Sequence, residues 1–159
     1  MLTSYGQREW GLILLISIPL IALAIYLHWW WLVLLLVILT LVLLSFFRDP
    51  YRRIPNDRNI MVSPADGTIS SIHTIDHYEP LGESVLCIRI FLSVLNVHVN
   101  RAPCHGQVAS ITHKNGTHLN ALKPESAQVN ESNLVVLVSP APRKPVVAIN
   151  QIAGAIARR

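Results

Sequence analysis

Residues 11–47 read GLILLISIPLIALAIYLHWWWLVLLLVILTLVLLSFF and contain no Asp, Glu, Lys or Arg. A single helix of these 37 residues would be about 55 Å long, whereas the hydrocarbon core of a bilayer is about 30 Å thick. One straight span is therefore too long, and the segment predicts a membrane hairpin of two helices, at residues 11–27 and 32–47. The helices would join at His28-Trp29-Trp30-Trp31, whose indole rings suit the membrane–water interface.

Three alternatives to a full hairpin stay open. A shallow re-entrant hairpin and a single tilted helix kinked at Pro19 both fit the apolar length. A cleaved signal peptide would use Arg8 before the apolar run and cleave near Ala22-Leu23-Ala24. A second apolar run follows, however, and then a cationic cluster, which favours a retained anchor in the cell membrane with both flanks on the cytoplasmic side. The cluster consists of Arg48, Arg52, Arg53 and Arg58.

Composition narrows the classes of partner. The 159 residues are 52% apolar, and beyond residue 47 there are 12 Lys and Arg against 8 Asp and Glu, a balance that suits anionic lipid headgroups. No basic run is interleaved with aromatic residues, so we expect no nucleic-acid partner. We also expect no metal site, because the two cysteines lack a metal-ligand spacing and the pair His73 and His77 falls in a strand pattern.

The rest of the chain predicts a mainly β fold. Short runs rich in Val and Ile alternate with turn residues, and no long helical period is present. We expect an anchoring hairpin at residues 1–47, a linker at 48–59 and a small β-sheet or partly closed barrel at 60–159. The expected strands are residues 60–62, 68–75, 85–92, 97–99, 108–112, 134–138 and 146–152.

One turn in this domain carries an acidic residue. The stretch SPADG, residues 63–67, follows one apolar run and precedes another. An aspartate before a glycine is common in turns, because the carboxylate can accept hydrogen bonds from nearby amides and glycine tolerates positive φ. From residue type alone, the preferred interpretation of Asp66 is a structural turn residue.

A second polar stretch, NVHVNRAP, spans residues 96–103. If it were a strand, Asn96, His98 and Asn100 would share one face and Arg101 would lie on the other. His98 is then either a hydrogen-bonded histidine at a sheet edge or a general acid or base, since imidazole titrates near neutral pH.

Several motifs occur in one order from Phe46 to the last residue. They are FFRDP at 46–50, SPADG at 63–67, FLS at 91–93, NVHVNRAP at 96–103, NG at 115–116 with LNA at 119–121, NE at 130–131, and QIAG to ARR at 151–159. Each motif alone is weakly specific. As an ordered set they resemble the short, bacterial and archaeal type of phosphatidylserine decarboxylase.

The resemblance implies a pyruvoyl-dependent lyase. Members of this family cut themselves before an internal serine, which becomes a pyruvoyl group on the smaller, C-terminal subunit. Its carbonyl forms a Schiff base with the amine of phosphatidylserine and accepts electrons as CO2 leaves, so that phosphatidylethanolamine remains. A membrane anchor is consistent with a lipid substrate.

The resemblance also implies roles for three residues. Asp66 matches the aspartate that helps to activate the serine for self-cleavage. His98 matches a histidine of the active site, which acts in proton transfer during decarboxylation or in cleavage, and the division of roles between the two stays open. The longer type of the family has a second histidine where this chain has Arg101. Arg101 would hold an anionic headgroup or, alternatively, form a salt bridge within the sheet.

One part of the family pattern is missing. The family cuts at a Gly-Ser dipeptide downstream of the ARR stretch, and no glycine among these 159 residues is followed by serine. We therefore expect the chain alone to be inactive. Three explanations are open: a truncation that lacks the C-terminal strands, a large subunit whose pyruvoyl subunit is supplied separately, or a membrane-anchored pseudoenzyme that binds lipid or protein. Homo-oligomerisation is also left open.

Overall fold

The computed structural model describes residues 1–57, 60–120, 125–138 and 145–155. The chain divides into two compact units. The first consists of Met1–Arg53 together with Leu95–Val99, and the second of Ile54–Val94 together with Asn100–Arg159. Helices dominate the first unit and antiparallel strands the second. A short segment that follows the first two strands in the chain thus belongs with the helices.

Two apolar helices form the first unit. After a 3-10 turn at Ser4–Gly6, helix α1 spans Gln7–Tyr26 and helix α2 spans Trp30–Phe46, and the two pack on each other. Ser17 and Ala24 are the buried residues of α1 and lie two turns apart on one stripe, where small side chains permit close approach of two helices. By length and composition, the 23-residue stretch Ser4–Tyr26 could cross a membrane, whereas α2 is shorter, at 17 residues.

A tight turn connects the two helices. His28 has a φ of 58°, and its N–H donates to the carbonyl of Ile25 at 3.0 Å, while the Trp29 N–H donates to the carbonyl of Ala24 at 2.9 Å. These bonds form a Schellman motif, in which a left-handed residue ends the helix and satisfies its last carbonyls. The Trp29 carbonyl then accepts from the Val33 N–H at 3.1 Å and begins α2. The two helices therefore meet slightly earlier than predicted.

The open end of this helix pair is closed by backbone hydrogen bonds. The Thr3 N–H donates to the carbonyl of Phe47 at 2.8 Å, and the Asp49 N–H donates to the carbonyl of Met1 at 2.7 Å. Gly6 lies against Phe47, because a Cβ at Gly6 would come within 2.7 Å of the phenyl ring. The N-terminal residues thus pair with the residues that follow α2.

A long hairpin opens the second unit. Strand β1, Thr68–Tyr78, pairs antiparallel with strand β2, Glu83–Phe91. Gly82 has a φ of 71° and donates its N–H to the Tyr78 carbonyl at 2.9 Å, so a left-handed glycine makes the turn. Burial, with a smaller contribution from Cys87, raises the pKa of the Tyr78 phenol.

A three-stranded sheet completes the second unit. Strand β3, Gln107–Lys114, and strand β5, Pro145–Ile152, flank strand β4, Ser132–Val138, and all pairs are antiparallel. A short helix α3, Ser126–Val129, precedes β4. Val136 and Leu137 are each only 5% exposed although they face opposite sides of the sheet, so both faces of β4 are covered. Strand β4 is therefore the core of this unit.

The structure corrects the predicted fold class in two respects. Helices α1 and α2 contain 20 and 17 residues, so the architecture is mixed helix and strand and not mainly β. The five described strands form two open sheets of two and three strands, and no barrel closes among them. Five expected strands are confirmed, at 68–75, 85–92, 108–112, 134–138 and 146–152, with bounds that differ by a few residues.

The expected strands at residues 60–62 and 97–99 are wrong. Val62 donates its N–H to the carbonyl of Pro103 at 2.8 Å, outside any ladder, and Pro103 has no N–H with which to extend one. Val97 is buried, at 3% exposed, in a segment without strand pairing. Val97 is therefore apolar because it is buried, whereas Ile60 and Met61 are exposed, at 49% and 53%. Some predictions fall outside the described residues. They concern Arg58 and the end of the predicted linker, Ala121, and residues 156–159.

Candidate active site

His98 lies at the C-terminal end of α2. Its imidazole stacks on the phenyl ring of Phe46, the last residue of α2, with ring centroids 4.2 Å apart and an angle of 27° between the planes. Phe47 meets Phe46 edge to face at 5.3 Å. His98 is half-buried, and all three rings belong to the first unit. The sheet-edge position expected for His98 is therefore replaced by a stacked position on a helix end.

A backbone carbonyl selects the tautomer of His98. The Nδ1 atom lies 3.0 Å from the carbonyl oxygen of Asn96. Because a carbonyl only accepts hydrogen bonds, Nδ1 must carry the hydrogen in this contact. In the neutral ring, Nε2 is then the nitrogen that can accept a proton. This is the form that a general base requires.

The surroundings of His98 favour its neutral form. Burial lowers the pKa of the imidazole, and the nearby positive charge of Arg48 lowers it further, while the hydrogen bond to Asn96 acts in the opposite direction. Desolvation penalises the charged imidazolium, and a like charge repels it. These surroundings therefore favour the uncharged imidazole, the form that can accept a proton.

Arg48 connects the segment of His98 to α2. Its Nη1 donates to the carbonyl of Ser45 at 2.9 Å, and its Nη2 donates to the carbonyl of Leu95. The first carbonyl belongs to the last turn of α2 and the second lies three residues before His98. One side chain thus joins two segments that are far apart in the sequence.

Asp66 lies in the predicted turn, in the second unit. It is half-buried, and the Ser63 hydroxyl donates to the carbonyl of Ala65 at 2.7 Å beside it. The predicted reason for Gly67 is wrong, because its φ is not positive; a Cβ there would instead come within 2.5 Å of the Phe91 carbonyl oxygen. The glycine permits a close approach of two backbones, which holds the Asp66 turn against the end of β2.

Backbone bonds bring the segment of Arg101 to the turn of Asp66. The Arg101 N–H donates to the carbonyl of Pro64 at 2.9 Å, two residues before Asp66. Of the three residues singled out in the sequence, Asp66 and Arg101 therefore share a local substructure of the second unit, and His98 belongs to the first. Arg101 lies in an irregular segment and not in a strand.

Arg101 also lines a cavity of about 200 Å³ over the three-stranded sheet. Polar and apolar side chains both contribute to its wall, and all the apolar ones except Ala102 come from β3, β4 and β5. The cavity thus combines an apolar floor with a guanidinium, the combination found where an anionic group binds beside apolar surface. The lining residues are Asn100, Arg101, Ala102, Val108, Val135, Leu137, Ile149 and Gln151.

A buried asparagine forms a hydrogen-bonded centre that residue types alone did not predict. Asn130 is 1% exposed, and its Oδ1 accepts from the Leu119 N–H at 2.9 Å and from the Thr117 hydroxyl at 3.1 Å. Its Nδ2 donates at 2.8 Å to the carbonyls of Leu119 and Ala153. The motif NE at 130–131 was the available signal, but its partners are separated from it in the sequence.

Glu131, the next residue, lies between two histidines. The His118 Nε2 is 2.9 Å from Glu131 Oε2, and the His113 Nε2 is 3.8 Å from Oε1. His113 also lies 3.1 Å from the Asn115 side-chain oxygen. Within the described ranges, no group of three or more histidines, cysteines or carboxylates is arranged to hold a metal ion.

Comparison with known proteins identifies the family. The family model for phosphatidylserine decarboxylase matches residues 39–159, which include Phe46, Asp66, His98 and Arg101. The chain belongs to the phosphatidylserine decarboxylase family. A phosphatidylserine decarboxylase proenzyme of Wolbachia pipientis wMel is 40% identical over 126 residues, which cover 76% of this chain and 53% of that protein.

Two further phosphatidylserine decarboxylase proenzymes show how far the likeness extends. The protein of Parabacteroides distasonis is 43% identical over 121 residues, covering 75% of this chain and 54% of that protein. The protein of Wolbachia sp. subsp. Brugia malayi is 36% identical over 159 residues, covering 96% of this chain and 67% of that protein. The chain thus spans about half the length of the first two relatives, whereas the third match covers 96% of this chain.

Proposed function

We propose that residues 1–159 form the membrane-anchored part of a phosphatidylserine decarboxylase, a lyase that releases CO2 from phosphatidylserine and leaves phosphatidylethanolamine. Membership of the family supports the reaction class. The observation that carries the proposal is the arrangement of His98, whose Nδ1 bonds to the Asn96 carbonyl while its ring stacks on Phe46. A neutral histidine with Nε2 available suits proton transfer at a reacting centre.

The helices support the membrane part of the proposal. Large apolar side chains are exposed along both helices, for example Leu15 at 69% and Leu34 at 62%. In water each such side chain is unfavourable by about 25 cal/mol per Å² of apolar surface, and a bilayer removes that cost. Arg52 and Arg53 follow α2 and are exposed, so they can meet anionic headgroups. We place α1 and α2 in the cell membrane, with these arginines on its cytoplasmic side.

The prosthetic group of the proposed reaction is a pyruvoyl group. It supplies an electrophilic carbonyl that binds the substrate amine and withdraws electrons from the bond to the carboxylate. None of the glycines in residues 1–159 precedes a serine, so the serine that forms this group must lie outside these residues. The proposed partner is therefore a small C-terminal subunit that carries it.

Residues of this chain would perform the remaining tasks. His98 would accept or return a proton at Nε2, and Asp66 would help to activate the serine for self-cleavage. Arg101 would bind the phosphate or carboxylate of the headgroup, because its planar guanidinium donates to two oxygens at once. The cavity that Arg101 lines, at about 200 Å³, is open to solvent and could receive part of a headgroup.

Complementation tests the proposed function. Residues 1–159 are co-expressed with the C-terminal part of the Parabacteroides distasonis relative that lies beyond its match, and CO2 release is measured from carboxyl-labelled phosphatidylserine in vesicles. We expect release from the pair and none from residues 1–159 alone. His98→Gln should reduce release about 100-fold or more, whereas the control His105→Gln, at an exposed position, should not. Release by the single chain, or full activity of His98→Gln, would contradict the proposal.

The alternative function from the sequence analysis is a pseudoenzyme. In that case residues 1–159 would act as a membrane-anchored protein that binds lipid or a protein partner without catalysis. This alternative predicts binding to phosphatidylserine vesicles and no CO2 release with any C-terminal segment. The same complementation experiment, combined with vesicle flotation, separates the two functions.

A further inference from the structure

The side chain of Arg48 donates two hydrogen bonds that serve different parts of the chain. Its Nη1 donates to Ser45 at the end of α2, where helix carbonyls lack partners within the helix. Its Nη2 donates to Leu95 in the segment Leu95–Val99. A guanidinium is a rigid fork with five N–H donors, so it can hold two carbonyls in a fixed relation.

The second bond acts close to His98. Leu95 precedes Asn96, whose carbonyl accepts the Nδ1 hydrogen of His98. Fixing the backbone at Leu95 therefore restrains the carbonyl that sets the tautomer of the imidazole. Phe46 supports the same ring from α2, at a centroid distance of 4.2 Å. The segment Leu95–Val99 has no strand pairing of its own, so these contacts, together with the burial of Val97, hold His98 in place.

We propose that Arg48 is a positioning residue for His98, which holds the segment Leu95–Val99 on the end of α2 so that the imidazole stays stacked on Phe46. The catalytic meaning of this position rests on the proposed function of His98. Among the described residues, Arg48 is the charged group that acts on the imidazole, and Asn96 and Phe46 are its neutral neighbours.

A purely structural role is the competing explanation. Arg48 could simply stabilise α2, because a positive charge near a helix C-terminus is favourable. Arg48→Lys separates the two roles, since lysine keeps the charge but is a compact ammonium on a flexible stem and lacks the planar fork. If Arg48 only stabilises the helix, Arg48→Lys should leave the environment of His98 unchanged.

The test is NMR of the full chain in lipid nanodiscs with isotope-labelled histidine. The stacked phenyl ring should shift the signals of the imidazole protons of His98. In Arg48→Gln we expect these signals to move toward those of a free histidine, and the pKa of His98 to rise because a positive charge is lost and the ring gains water. Arg48→Lys should lose most of the ring-induced shift, and the control Arg53→Gln, an exposed arginine on the same flank, should lose none.

Circular dichroism shows whether each variant keeps its helices. If Arg48→Gln loses helix content, the result for Arg48→Lys is used instead. A shifted His98 signal in Arg48→Lys with intact helices supports the proposal. An unshifted His98 signal in that variant overturns it. Unchanged His98 signals in a folded Arg48→Gln protein also overturn it. This measurement needs neither substrate nor the small subunit, so its failure is distinct from failure of the decarboxylase proposal. In the complemented enzyme, Arg48→Lys should lower kcat about tenfold with little change in KM.

Discussion

The imidazole of His98 lies on the phenyl ring of Phe46, with 4.2 Å between ring centroids and 27° between the planes. The two residues are separated by two strands in the sequence, yet both belong to the first unit. The contact places the proposed proton-transfer group directly at the end of an apolar helix. The pKa of His98 should therefore depend on residues that precede all of the strands in the sequence.

Phe46→Leu should weaken the packing of the His98 imidazole. An aromatic pair contributes about 0.5–1.5 kcal/mol beyond its buried area, and its loss should let water reach the imidazole. We expect the pKa of His98 to rise, as measured by NMR titration, and CO2 release by the complemented enzyme to fall several-fold. Tyr51→Leu is the matched control, because Tyr51 is 90% exposed. An unchanged His98 titration in Phe46→Leu would show that the stack has no such effect.

The stability of the protein should depend on pH because His98 titrates. Burial, and then Arg48, depress its pKa in the folded protein, whereas the unfolded chain has the ordinary value of about 6.5. Above that value both states are neutral at His98 and the native state keeps its full stability. As the pH falls through about 6.5, the unfolded state takes up the proton first, so stability declines until the depressed folded pKa is passed.

Urea unfolding between pH 7.5 and 5 measures this effect, with His98→Gln as the reference that removes one titrating group. The wild-type chain should lose more stability than His98→Gln over this interval. If the two proteins lost equal stability, the imidazole would have to be as hydrated in the folded state as in the unfolded one. In the complemented enzyme, the acid limb of the rate profile should lie below about pH 6.5, because a depressed pKa keeps the base unprotonated at lower pH.

Asn130→Asp should strongly destabilise the second unit. The two hydrogen bonds that Nδ2 donates to Leu119 and Ala153 would be replaced by a carboxylate facing two carbonyls at a position only 1% exposed. Breaking a buried network of this kind costs about 2–4 kcal/mol. The free energy of unfolding in urea tests this, with Asn150→Asp, at an exposed position in β5, as the control. Equal stabilities of the two variants would contradict the assigned role of Asn130.

Gly67→Ala should displace the turn of Asp66. The new methyl group would come within 2.5 Å of the Phe91 carbonyl oxygen, which belongs to backbone and cannot rotate away. We expect a loss of about 1–3 kcal/mol in unfolding free energy and a loss of self-cleavage in any chain extended to include a Gly-Ser site. Gly11→Ala is the control, because apart from the neighbouring backbone of its own helix nothing lies within 4 Å of the added methyl group. A stable, cleaving Gly67→Ala protein would show that the turn can relax.

The elements with strong local signals were predictable from the sequence. Residues 11–47 lack charged side chains throughout, so two apolar helices followed from length alone, and the structure places them at Gln7–Tyr26 and Trp30–Phe46. Runs of Val and Ile between turn residues likewise predicted the five strands found among the described residues. In both cases the pattern is repeated over many residues, and no distant contact is needed to recognise it.

The errors occur where tertiary contacts replace local ones. Val97 and Val99 suggested a strand, but Val97 is buried without a ladder and His98 is held by Phe46 and by the Asn96 carbonyl. Residue type was enough to select His98 as a candidate for catalysis. Nothing local could show that Phe46 would be its neighbour, because the two residues are far apart in the chain. The contacts of Asn130 escaped prediction for the same reason.

The packing of Leu95–Val99 with Met1–Arg53 has a practical consequence for anyone who wants a soluble form of this protein. The usual approach removes a hydrophobic anchor and retains the domain that follows it. Here a polypeptide that starts at Ile54 would keep the strands but would lose Phe46 and Arg48 together with the helices. Its histidine would still be present in the sequence, yet detached from the ring and the guanidinium that hold it. With the membrane placement that we propose, the site is best studied in detergent or lipid with residues 1–53 retained.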